Sequence, residues 1–355
     1  MPDYQTRDAQ MWVSKLPIPF GTLPAAGAEM EAISSIDVLP GVLPNIEKTD
    51  DAGRVGTGSE FATHTCNQYW TQPTIGLSND QDLWNIYGRL WLRAFGGTVT
   101  AAVAGTGNSH SAPLRDGRVD GRQLPASAFL YLLGPEDFLL GDMCVDRATM
   151  AKSGANPPTL NFSLVGSGNH LTPNGLAGLP VYVPPQSCAD IGSITVKYTD
   201  ADSTVVDLSA SGCRFKDLVV TIGNNLRVND RCVGDPLLTQ SEGTARYVRR
   251  LLYVAPREVG AQFTFLVDTA LAEYKLMTKN EVVTDVTIAI HGGVIGAGPA
   301  TYAVGIKIPK ATFRNVNPVE SDGDAAYSAL LQVLDEGTQE PATGFVINDV
   351  AANFK

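Results

Sequence analysis

The residues best able to do chemistry in this 355-residue chain are four histidines, His64, His110, His170 and His291, and five cysteines, Cys66, Cys144, Cys188, Cys213 and Cys232. A structural or catalytic zinc site draws its nitrogen and sulfur ligands from pairs at short, recurring spacings. Only His64 and Cys66 stand two apart; HxH, HExxH and CxxC are all missing, and no second pair completes a site. No GxSxG elbow marks a nucleophile, and nothing in the order of the 37 acids selects a pair for general acid and base work. Asp200 and Asp202 have the DxD spacing of a calcium loop but lack its glycine and terminal glutamate, so they read as a hairpin turn. Two glycine-rich runs fail on context. Gly53–Gly58 has no following lysine and opens no helix, and Gly292–Gly298 leads into proline and another strand rather than a helix. The sequence therefore predicts no catalytic residue, no cofactor and no metal, and a protein that is not an enzyme.

Charge points the same way. The formal net charge is −11 and the pI is near 4.8, a balance that repels phosphate groups at long range and opposes tight nucleic-acid binding. The basic cluster is Arg246-Tyr-Val-Arg249-Arg250; on a strand, Arg246 and Arg250 share one face and Arg249 takes the other. That suits ion pairs to a neighbouring subunit better than a phosphate groove. Residues 105–126 read as a long polar loop carrying His110, Arg115, Asp116 and Arg118, and loops of that length are usually functional. These seven residues are the predicted contacts between subunits or rings.

The framework around them is β-rich. Hydrophobic residues make up 44% of the chain, charged residues only 18%, and 35 glycines with 22 prolines favour short strands and turns. No basic, apolar leader opens the sequence, and no apolar run approaches the roughly 18 residues of a membrane span, so a soluble chain in a reducing cytoplasm is expected. Residues 1–60 alternate apolar residues with proline and read as an extended arm, lying on a neighbour or on its own domain. Residues 61–355 form the β-rich domain. Residues 81–95 form a helix with a broad apolar face, closed by Gly96-Gly97. Strands are expected at 99–104, 193–198, 204–208, 215–222, 247–254, 262–267, 271–277 and 282–290, with a hairpin over 143–165, while 129–133 is a short buried run, either strand or helix. Tyr302–Ile308 alternates as a strand that Pro309 should end or confine to an edge, and a second helix is predicted from Ser321-Asp322 to Gly337. Its apolar face would hold Ala326, Leu330, Val333 and Leu334, so Leu330→Asp should abolish folding or assembly.

Several segments in fixed order carry a resemblance. Phe215–Leu226 ends in Asn224-Asn225-Leu226; Arg249–Val267 is aromatic-rich and followed by Asp268; Val286–Ile290 leads through a glycine-rich turn to Tyr302–Lys310, ending Ile308-Pro309-Lys310; then come Asn317-Pro318 and Asp322-Gly323-Asp324. Upstream, Leu90–Val99 and Cys144–Gly168 fit the same order. In this order the chain resembles the tail tube, or major tail, proteins of long-tailed bacteriophages, over about residues 55–355 and most closely after 210. Residues 171–210 look inserted. The resemblance implies a β-sandwich or partly closed β-barrel with one or two flanking short α-helices, assembling as homohexameric rings that stack into the tail tube of a virion. The implied partners are further copies of the chain, other phage tail proteins, and double-stranded DNA passing through the lumen without specific binding, with no membrane involved. The lumen wall should then be acidic. A terminator or distal hub ring, or a β-sandwich hydrolase or glycan-binding module, are the alternatives.

Overall fold

In the computed structural model, the residues described are 10–33, 45–51, 63–78, 84–115, 121–133, 136–154, 156, 158–167, 169–171, 175–181, 193–209, 215–227, 238–239, 246–247, 252–253, 257–266, 282–321, 323–334 and 341–350. Only the backbone is described at 45–51, 63–78, 133, 136–137, 170, 227, 238–239 and 246–247. In chain order, β1 (Gln10–Ser14) and β2 (Met30–Ile33) flank a single 3-10 turn, and β3 (Asn45–Asp51) and β4 (Thr63–Ser78) precede helix α1 (Ile86–Phe95). A second group comprises β5 (Thr100–Ala104), β6 (Gly107–Pro113), β7 (Ser127–Leu133), β8 (Glu136–Ser153), β9 (Thr159–Gly166) and β10 (His170–Leu171). Next come β11 (Ser193–Thr199), β12 (Val205–Asp207) and β13 (Phe215–Gly223). Four two-residue pieces follow: β14 (Leu226–Arg227), β15 (Leu238–Thr239), β16 (Arg246–Tyr247) and β17 (Leu252–Tyr253). The last group is β18 (Glu258–Leu266), β19 (Val282–Val294), β20 (Thr301–Ser321), β21 (Asp324–Val333) and β22 (Thr343–Asn348).

The protein is mainly β, with one α-helix among the described residues and one large, almost wholly antiparallel sheet that does not close on itself. β20, 21 residues long, is common to both halves of that sheet. Its first part lies between β19 and β22, giving the order β12-β11-β19-β20-β22-β6-β5. Its second part pairs with β21, and the sheet continues through β18, β13, β8, β9 and β4. The front part of β8 leaves that row to pair with β7, which joins β1 and β2.

Pro309 does not end its strand. On one side of it β22 stops at the Lys307–Thr343 pair and β21 begins at Ala311–Val333; on the other, no pair forms between Thr284–Lys310 and Val286–Ile308, where Asp285, opposite the proline, has φ +50°. The proline, with no N–H to give, therefore sits where the ladder asks for none. The second helix is likewise a strand. Ser321 pairs with Asp324, so two residues, Asp322 and Gly323, make the connection, and Gly323 has φ +83°. Asp-Gly is a strong signal for this tight hairpin, and it outweighs the weak helical spacing that follows. In β21, Ala329 and Leu331 point inward beside Phe263 and Ala261, while Leu330 faces outward between Gln262 and Arg314. Leu331→Asp is therefore expected to unfold the protein, through a buried, unpaired carboxylate. Leu330→Asp should change stability by less than about 1 kcal/mol, as surface substitutions generally do. Urea unfolding of the two variants checks this, and a helix would require the reverse order.

Other expectations change too. The polar stretch 105–126 contains a whole strand, β6, joined to β5 by the tight turn at Gly105-Thr106. Within the predicted arm, residues 10–33 belong to the protein's own sheet and bury Met11, Trp12, Val13 and Met30. Within the predicted insertion, β11 and β12 form the margin of the sheet, and Val196, Tyr198 and Leu208 join the main core. Their turn forms as expected, with Asp200 Oδ1 accepting the N–H groups of Asp202 and Thr204. Of the strand predicted at 247–254, the described residues place Tyr247 in β16 and Leu252–Tyr253 in β17, and the one at 271–277 lies outside the described residues.

Helix α1 forms as predicted but is enclosed rather than flanking. Trp84, Ile86, Tyr87, Leu90, Trp91, Leu92, Ala94 and Phe95 are all buried, so the amphipathic stripe is extended to nearly every face. The helix packs on β8 and β9 on one side and on β6 and β22 on the other. Glycine makes that approach possible: a Cβ on Gly344 would lie 2.3 Å from the Phe95 ring, and one on Gly292 2.6 Å from Trp84.

Candidate functional site

Polar side chains converge most densely on the C-terminus of α1. A helix leaves its last carbonyls without partners, and here the surrounding strands supply them. Gly96 adopts the left-handed conformation, with φ +80°, and its N–H donates to Leu92 O. Asn224, fully buried at the end of β13, donates from Nδ2 to Ala94 O at 3.1 Å and to Val145 O at 2.7 Å. Arg257 donates from Nε to Asn224 Oδ1 at 2.7 Å and from Nη1 to Phe95 O at 3.0 Å, with Nη2 on Ala94 O. Its guanidinium also lies 4.9 Å from the Tyr253 ring centroid. Arg115 donates to Gly96 O at 3.3 Å and to Gly121 O at 2.9 Å, and accepts the Tyr253 hydroxyl on its own carbonyl. Cationic groups at a helix C-terminus also meet the negative end of its dipole favourably. Burial nevertheless pulls the Arg257 pKa down to about 10, against the raising influence of Tyr253.

The Asn224-Asn225-Leu226 turn gains its physical meaning at this point. Asn224 reaches the helix, Asn225 takes the left-handed backbone that asparagine tolerates (φ +50°), and Leu226 N–H is held by Asp146 Oδ1 at 2.7 Å. The sequence marks the turn but not its partner. Arg257, more than 30 positions away, carries no local signal that it ends the helix.

A second buried cation, Arg93, fastens the helix to β1. It donates to Ser127 Oγ at 2.7 Å and to the carbonyls of Ser14 and Lys15 at 3.1 and 2.9 Å. Burial, with Arg89 nearby, lowers its pKa to about 9. Asp142 is buried as well, with φ +56°; Gly21 N–H and the Ser167 hydroxyl each donate to it at 2.6 Å. Burial raises its pKa, and those hydrogen bonds only partly offset the rise. Neither group appears among the sequence-predicted sites, because burial of a lone charge depends on neighbours distant in the chain.

Of the predicted contact residues, His110 is fully buried in β6, its Nε2 3.1 Å from Val350 O, and burial lowers its pKa. It lies inside the subunit and not on a surface open to another copy, because strand alternation turns it toward the helix. Arg115 serves the helix terminus. Asp116, Arg118, Arg249 and Arg250 lie outside the described residues, and of Arg246 only the backbone is described, in β16 beside β4 and β15. The two described side chains serve different places, His110 beside Val350 and Arg115 at the helix terminus.

Among the described residues no group of three His, Cys, Asp or Glu could hold a metal ion, and no helix is long and apolar enough to cross a membrane. Burial raises the Cys144 thiol pKa, so it is held in its unreactive protonated form. His291 has Thr195 Oγ1 at 3.0 Å and Thr301 Oγ1 at 3.4 Å, and burial with nearby Lys197 lowers its pKa.

What the fold does expose is backbone. β5 pairs only with β6 among the described residues, four of its five residues are exposed, and it carries no charge and no proline. At the opposite margin of the same half-sheet, β12 pairs only with β11 among the described residues. The face of this half-sheet turned away from the helix carries Thr100, Ser109, Ser111, Thr195 and Thr287, with Lys197 tied to Asp207 and Lys307 set 5.6 Å from the Phe345 ring. The outer face of the other half is similar, and one row of paired residues runs Asn161–Thr149–Thr221–Gly260–Gln332–Thr312. No family model matches this chain, and no curated protein matches it.

Proposed function

We propose that this chain is a structural, self-assembling protein, the subunit of a phage tail tube built from stacked six-membered rings in the virion. The observation that carries this reading is the open sheet. A five-residue edge strand without charge, proline or bulge is the feature that monomeric β-proteins usually suppress, and pairing with another chain gives it a use. The order of segments shared with tail tube proteins supplies the identity of the assembly. The packing of antiparallel strands around α1 accords with the same reading.

One part of the expectation is revised. An acidic lumen would need a sheet face rich in carboxylates, and neither sheet face offers one among the described residues. The faces carry hydroxyls, amides and small side chains instead. If one of them lines a lumen, duplex DNA slides past neutral hydroxyl groups, and the acids act from turns and loops. Copies of the chain and other tail proteins are the partners, assembly takes place in the host cytoplasm, and DNA passes without specific binding.

Electron microscopy of the purified full chain tests the reading. Long hollow tubes one ring wide are the expected result. Isolated single rings would point instead to a terminator or hub, and a chain that stays monomeric under assembly conditions would overturn the proposal.

A further inference from the structure

The polarity of the half-sheet that ends in β5 and β12 constrains how two copies can join through it. Its order, β12-β11-β19-β20-β22-β6-β5, contains seven strands and six antiparallel steps. An even number of reversals leaves the two outermost strands running in the same direction. A rotation that carries one subunit to the next around a ring preserves strand direction, so β5 of one copy meets β12 of the next in parallel. A seam between like edges, β5 with β5, would instead be antiparallel about a two-fold axis, and two-fold pairing closes a dimer and not a ring.

Side chains at the two margins favour the unlike pair. Val103 on β5 is 82% exposed and Val205 on β12 is 70% exposed, which places two of the most exposed large apolar side chains on opposite margins of one half-sheet. Pairing β5 with β5 would cover the first and leave the second in water. Pairing β5 with β12 covers both through one repeated interface.

The faces also match. Val103 stands on the helix side, since its neighbour Ala101 pairs with inward-facing His110; Ala102 and Ala104 stand on the other side. On β12, Val206 packs against the main core, while Val205 and Asp207 stand on the opposite side with Lys197. In a parallel register that sets Ala102 beside Val205 and Val103 beside Val206, every pair shares a face, and the small Ala102 receives Val205. The run of β5 brings no charge to the contact.

We infer that the lateral seam between copies is a parallel pairing of β5 from one copy with β12 from the next, centred on Val103 and on Val205-Val206. This rests on the ring-forming reading above and adds which strands join, and in which direction. Parallel pairs are somewhat weaker per residue than antiparallel ones, so the seam gains from apolar cover on both faces.

The test uses the full-length chain with Val103→Lys or Val205→Lys, since an edge lysine blocks strand addition and both sites are exposed enough to spare the fold. Far-UV circular dichroism and thermal midpoint should match the parent. By light scattering coupled to size exclusion, each variant alone should lose assembly and run as a 37.7 kDa monomer. Mixed one to one, they should form a dimer of twice that mass, because the intact β5 of one then meets the intact β12 of the other. A mixture that stays monomeric would overturn the seam. So would dimers formed by Val205→Lys alone, which would reveal a β5–β5 pair. Variants that both assemble like the parent would overturn the seam and leave the ring reading standing, whereas a parent that never exceeds a monomer would overturn both.

Discussion

Replacing Trp91 with alanine is expected to remove about 3–5 kcal/mol of stability, the range for deleting a large buried aromatic side chain. Trp91 is completely buried, its Nε1–H donates to Gly305 O at 3.0 Å, and its ring meets Phe95 edge-on at 5.5 Å. Truncation loses the transfer free energy of the indole and leaves a cavity between α1 and β20. It also strands a strand carbonyl without its donor, which adds to the cost. Trp91→Phe separates these contributions, keeping an aromatic ring while losing the N–H, and should cost roughly 1–3 kcal/mol. Urea denaturation followed by tryptophan fluorescence and circular dichroism measures both. A loss below about 1 kcal/mol for the alanine variant would mean that the helix is not enclosed as described.

Arg257→Ala should have the next largest effect, about 2–4 kcal/mol, because it leaves Ala94 O, Phe95 O and Asn224 Oδ1 to find new partners in a buried setting. Arg257→Met keeps most of the apolar stem and should recover only a minor part, which would place the loss in the hydrogen bonds and not in packing. Asn224→Ala acts on the same carbonyl of Ala94. The double variant should therefore lose less than the sum of the single losses, by about 0.5 kcal/mol or more. Additive losses in a denaturation cycle would show that the two residues hold separate parts of the structure.

Legibility in the sequence followed the range of the interactions concerned. The strands Ser193–Thr199, Phe215–Gly223 and Val282–Val294 were readable because alternation along one segment is a local signal. So was α1, although its enclosure was not: periodicity marks one apolar face, and only the glycines of distant strands reveal that a second sheet half covers the other. β6 was hidden because its inward positions hold His110 and Ala112, neither of which reads as a strand core from composition. The strand at Asp324–Val333 was misread as a helix because Ala326, Leu330 and Val333 happen to fit a helical spacing, whereas the Asp-Gly turn before it was the stronger signal. Of the functional surface, the acidity suggested a charged wall, but charge in the sequence does not say where a residue faces. The margins at β5 and β12 follow only from the strand pairings among the described residues, which no local sequence signal gives.

The position of β22 has a consequence for the order of events during synthesis. Its residues Thr343–Asn348 complete the floor beneath a helix made far earlier, pairing with β6 at residues 108–113 and receiving Phe95 over Gly344. As the chain leaves the ribosome from its N-terminus, Trp84, Trp91 and Phe95 must wait for more than 200 further residues before their cover arrives. Throughout that interval an aromatic helix and an uncharged edge strand are available together to any neighbouring nascent chain. Native pairing across such separations is slow. A nascent chain in that state is open to aggregation, so the late arrival of β22 sets the interval during which the chain is vulnerable.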